Sequence, residues 1–71
     1  MTNREEKFNR INRLRHDQAK LYDRLLRDMG DENADYNKLY YEYDLEYGRI
    51  SAEITAILNS IARDSLKERG L

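Results

Sequence analysis

The chain has 71 residues, 38% charged and 39% apolar, with three glycines, no proline, no cysteine and a net charge of −1. That length allows one small domain at most, and the lack of cysteine excludes a disulfide framework and a thiolate metal site, which fits a cytoplasmic setting. Near-neutral charge excludes a polycation, the polar start MTNREEKF is not a secretory signal, and the longest apolar stretch, residues 54–58 interrupted by Thr55, is far too short to cross a bilayer.

A high charge content can signal disorder, but here the apolar residues recur at spacings of three and four, as in helices with narrow apolar faces. The first helix is expected over about residues 3–29, as a single stripe of Phe8, Ile11, Leu14, Leu21, Tyr22, Leu25, Leu26 and Met29 with Gln18 near its middle. Thr2 or Asn3 can cap it, because Glu5 and Glu6 follow three residues later. Gly30 offers a left-handed stop.

The turn is expected over residues 30–33, with Asp31 or Asn33 capping the second helix over about residues 34–69 and Gly70 ending it. This helix carries Tyr36, Tyr40, Tyr43, Tyr47, Ile50, Ile54, Ile57 and Ile61 at alternating spacings of four and three, a coiled-coil seam. A short turn makes the helices antiparallel. Counting outward from it pairs Met29 with Tyr36, Leu25 with Tyr40, Gln18 with Tyr47, Leu14 with Ile50, Ile11 with Ile54, and Phe8 with Ile57 or Ile61. The second helix then overhangs the first by roughly two turns.

The expected fold is therefore all-α: one helical-hairpin domain over residues 1–71. Two helices leave each apolar stripe half covered, and small scaffolds without disulfides or metals commonly gain cover by oligomerising. A homodimer forming a four-helix bundle, or a hairpin docked on a larger partner, is the expected state. Its interface would draw on Ile50, Ile54, Ile57 and Ile61. It would also use a second face where Gly48, Ala52 and Ala56 follow Tyr41 and Leu45 and would let another helix approach closely.

Charge is unevenly spread. Residues 1–30 carry eight Lys/Arg and five Asp/Glu (net +3), residues 31–48 one and six (net −5), and residues 49–71 four and three (net +1). In size, two-helix layout and acidic turn the chain resembles the Rop family of plasmid copy-number regulators, dimers of helical hairpins that bind pairs of RNAs. The resemblance implies a dimer and RNA binding and assigns no contact residues. Small helical proteins of this composition are also frequent among phage and mobile-element products that act by binding a host protein.

Catalytic chemistry finds little footing. His16, the one histidine, falls opposite the apolar stripe, where a solvated side chain is expected and no general base is held in a pocket. Glu42 and Glu46 are four apart, but the Glu-x-x-His pattern of carboxylate bundle metal sites is missing, and so are phosphate loops, nucleophile sets and zinc spacings. No enzyme activity, metal or cofactor is expected. Tyrosine at seam positions is the informative feature, since each phenol needs a hydrogen-bond partner or water and tyrosine is enriched at binding hot spots. Tyr36, Tyr40, Tyr41, Glu42, Tyr43, Asp44, Glu46 and Tyr47 are thus the candidate protein-binding surface, suited to a basic partner such as one that itself grips nucleic acid. The leading expectation is a non-enzymatic binding module, regulator or inhibitor. The alternative is nucleic-acid binding through Arg10, Arg13, Lys20, Arg24 and Arg27, which line the outer face of the first helix.

Overall fold

The computed structural model describes residues 3–70. Among these residues there are two helices and no strand: α1, Asn3–Met29, and α2, Tyr36–Glu68, packed against each other. The hairpin is a flat rod measuring 58 × 21 × 9 Å. The Thr2 capping expectation lies outside the described residues, and Asn3 is already helical.

The turn differs from expectation in three ways. Gly30 is not left-handed; among the described residues positive φ occurs at Gly70 alone. Instead the chain leaves α1 through tight i→i+3 bonds, with the amides of Gly30, Asp31 and Ala34 donating to the carbonyls of Arg27, Asp28 and Asp31. These satisfy the end carbonyls without a left-handed residue. Second, α2 starts at Tyr36, so the connection is longer than four residues. Third, the cap is Asp35, whose Oδ1 accepts from the Lys38 amide at 3.2 Å, while Asp31 closes a local turn onto the Asn33 amide at 3.0 Å.

Ile11, Leu25 and Ile54 are buried, and Leu14, Gln18, Leu21, Met29, Leu39, Tyr43, Ile50, Ile57 and Ile61 are half-buried around them. The predicted register holds at mid-length: Gln18 Nε2 donates to the Tyr47 carbonyl at 3.3 Å and to Ser51 Oγ at 2.8 Å. At the free end, the last turn of α2 is not the open overhang expected. Arg4 reaches Glu68 at 2.6 Å, and Lys7 donates to Asp64 and Ser60 at 2.6 and 2.7 Å.

The tyrosine half of the seam is the main departure from the sequence expectation. Tyr43 and Leu39 turn inward there, whereas Tyr36, Tyr40 and Tyr47 are exposed. Phe8, Tyr22 and Leu26 of the α1 stripe are exposed as well. One facing helix covers only a narrow arc of its partner. Bulky side chains at the margins of each stripe are left outside.

Candidate protein-binding surface

Four aromatic rings gather near the turn. Tyr43 projects from α2 into their centre, with its ring centroid 6.4 Å from Tyr22, 6.1 Å from Tyr40 and 5.5 Å from Tyr47, in tilted and edge-on arrangements that suit ring quadrupoles. Partial burial and the neighbouring phenols of Tyr47, Tyr40 and Tyr22 raise its pKa above the ordinary tyrosine value. Tyr43 is therefore a packing residue, and a partner would meet its neighbours first.

Those neighbours are open. Tyr36, Tyr40 and Tyr41 are 57%, 56% and 65% exposed, more than a packed hairpin requires of aromatic side chains. Glu42 and Asp44 stand among them, exposed and without an ion pair among the described residues. Glu46 is engaged instead, accepting from Arg24 at 3.2 Å. The result is a group of phenols interleaved with free carboxylates, chemistry that can hydrogen-bond and pair with a basic surface.

The remaining candidate residues are scattered. Ile54 is buried within the hairpin and Ile50, Ile57 and Ile61 are half-buried there, so these four serve mainly the α1–α2 contact. Gly48, Ala52 and Ala56 lie exposed on the outer side of α2, and a Cβ added at Gly48 would meet nothing within 4 Å. The small-residue face is thus not a packing surface inside the hairpin. On α1, Arg10 lies 3.8 Å from Glu53 and Arg24 is held by Glu46, which takes two of the five basic residues into pairs across the helices. Arg13, Lys20 and Arg27 are exposed, with no ion pair among the described residues.

His16 is exposed. No group of three or more His, Asp or Glu side chains among the described residues could hold a metal ion, and no helix is long and apolar enough to cross a membrane.

Sequence reasoning missed Leu39, which lines a shallow groove with Leu21, Leu25 and Tyr43. Its signal was present in the spacing of four to Tyr43, but the tyrosines supplied a longer run. It also missed Lys7, Ser60 and Asp64, polar residues that meet across the free end. A donor hydrogen bond from Lys7 lowers the Asp64 pKa below the ordinary carboxylate value.

Compared with known proteins, the chain matches no family model, no curated protein and no solved structure.

Proposed function

We propose that the hairpin is a non-enzymatic protein-binding module that self-associates into a four-helix bundle and regulates or inhibits a partner by occupying its surface. The observation that carries the reading is the exposure of Tyr36 and Tyr41 beside the unpaired carboxylates of Glu42 and Asp44. Tyrosine gives large contact area at low entropic cost, and a free carboxylate rim steers association with a basic surface. The partner this chemistry fits is a basic protein, of the kind met on nucleic-acid-binding surfaces, in a cytoplasmic setting such as a phage or mobile element encounters in its host.

The test is affinity capture from the native host with two baits, the wild-type chain and Tyr36→Ala/Tyr41→Ala. A basic protein held by the first and lost by the second supports the reading. Equal capture by both baits counts against it. The competing reading, nucleic-acid binding, draws on Arg13, Lys20 and Arg27, the basic residues of α1 outside the ion pairs. Micromolar affinity for generic DNA or RNA that falls steeply with salt and disappears on reversing those three charges would replace the protein-partner reading.

A further inference from the structure

The two long sides of the rod differ in chemistry. With roughly 100° between successive helical residues, positions on each helix sort to one side or the other of the α1–α2 contact. On one side lie the pairs Lys7–Asp64, Arg10–Glu53 and Arg24–Glu46. On the other lie Phe8 and Leu58 toward the free end and Tyr22, Leu26, Tyr40 and Tyr47 toward the turn. These six are 46%, 43%, 50%, 52%, 56% and 39% exposed in that order. Arg15, Gln18 and Ser51 sit between the two groups. The rod is also charged lengthwise. Its free end, residues 3–13 and 61–70, carries seven Lys/Arg and four Asp/Glu, a net +3; its turn end, residues 23–47, carries three and eight, a net −5.

We infer that this second side is the dimer interface and that two copies lie on it antiparallel, the turn end of each against the free end of the other. The inference rests on the self-association in the proposed function and adds its face and its polarity.

Three observations argue for a second copy as the occupant. The apolar side runs most of the length of the rod, so its cover must be about as long as the rod itself. A fully buried aromatic contributes about 150–250 Å². Four aromatics and two smaller leucines left about half open therefore present on the order of 500 Å², most of the ~800 Å² per partner of a stable interface. The charge then fixes the direction. A parallel arrangement sets −5 beside −5 and +3 beside +3, whereas an antiparallel one sets each end beside its opposite. It also lays Phe8 and Leu58 of one copy on the aromatic end of the other, and brings the two Arg15 side chains together at mid-length, where they reach outward to water.

The experiment uses three single-cysteine variants of the full chain, which has no cysteine of its own, together with sedimentation of the wild type. Arg15→Cys, at mid-length, links to itself under a short bismaleimide in either direction of pairing, and so reports this face alone. Leu26→Cys links to Leu58→Cys when the two are mixed and does not link to itself, because antiparallel copies separate the two Leu26 positions by roughly 30 Å at ~1.5 Å rise per residue. Raising salt weakens the dimer, because it screens the end-to-end attraction.

A monomer in sedimentation at tens of micromolar overturns both the self-association and this inference. A dimer in which Leu26→Cys links to itself, or in which Arg15→Cys fails to link, leaves self-association standing and overturns the inference. Dissociation by Ala52→Glu with no effect of Leu58→Glu moves the interface to the outer side of α2, with the same consequence. Circular dichroism of each variant separates loss of association from loss of folding.

Discussion

Lys7 Nζ lies 2.6 Å from Asp64 Oδ2, and the lysine side chain retains only 22% of its exposure. The pair joins the first turns of α1 to the last turns of α2, the place where a hairpin held only at its turn would fray. The Lys7 hydrogen bond lowers the Asp64 pKa, so this group binds its proton less readily folded than unfolded. Its contribution to stability is present above the unfolded carboxylate value of about 3.9 and is lost as pH falls through the lower folded value. Thermal melts of the wild type and Asp64→Asn should therefore converge as pH falls below the ordinary carboxylate range, with the wild type ahead at pH 7. Parallel curves would mean that the pair contributes nothing.

Gln18 predicts a second, opposite kind of response. Its amide donates to Ser51 Oγ and to the Tyr47 carbonyl in the middle of an otherwise apolar contact. Truncation to Ala removes both bonds and leaves Ser51 half-buried, at a cost of about 1 kcal/mol. The double change Gln18→Leu/Ser51→Ala replaces both partners by apolar groups and should equal or exceed wild-type stability. Urea denaturation of the three chains measures the difference. A double variant weaker than Gln18→Ala would show that the polar pair contributes more than an apolar layer can.

How much of this was readable beforehand depends on the residue. The spacings of three and four gave both helices, and counting from the turn placed Gln18 beside Tyr47, because helix periodicity leaves little freedom once a short turn is assigned. The cap was harder. Asp31, Asn33 and Asp35 have the same chemistry, and the choice fell to the path of the i→i+3 turns after Met29, which no local spacing encodes. Tyr36 and Tyr40 read as seam because a heptad marks a stripe without saying how wide an arc one neighbour can cover. Lys7, Ser60 and Asp64 drew no expectation because their burial comes from long side chains meeting across helices, which a single-helix wheel cannot display.

Tyr43 gives a spectroscopic handle on the aromatic cluster. Partial burial, and after it the nearby phenols, hold its pKa above the ordinary value near 10. A phenol raised in this way keeps the neutral form in the fold. The unfolded chain therefore ionises first, and stability declines as pH climbs above about 10. Ultraviolet titration of the native chain should run to a late, high-pH step that Tyr43→Phe removes. Loss of the late step in Tyr36→Phe instead would assign the cluster's centre to the wrong ring.

Gly48 offers the sharpest separation between a folding role and a contact role. It sits inside α2, where glycine costs about 1 kcal/mol relative to alanine, and a Cβ there meets nothing within 4 Å. Gly48→Ala should therefore raise the unfolding free energy by about that amount. Gly48→Leu should be tolerated nearly as well, since the added side chain enters open space on the outer side of α2. Both substitutions should leave the sedimentation coefficient unchanged if dimerisation uses the opposite, apolar side. Denaturation and sedimentation on the same two variants read the outcomes separately. A Gly48→Leu chain that is more stable than wild type yet monomeric would show that the Gly48, Ala52 and Ala56 face is itself a helix contact, with glycine retained there for close approach at the expense of helix stability.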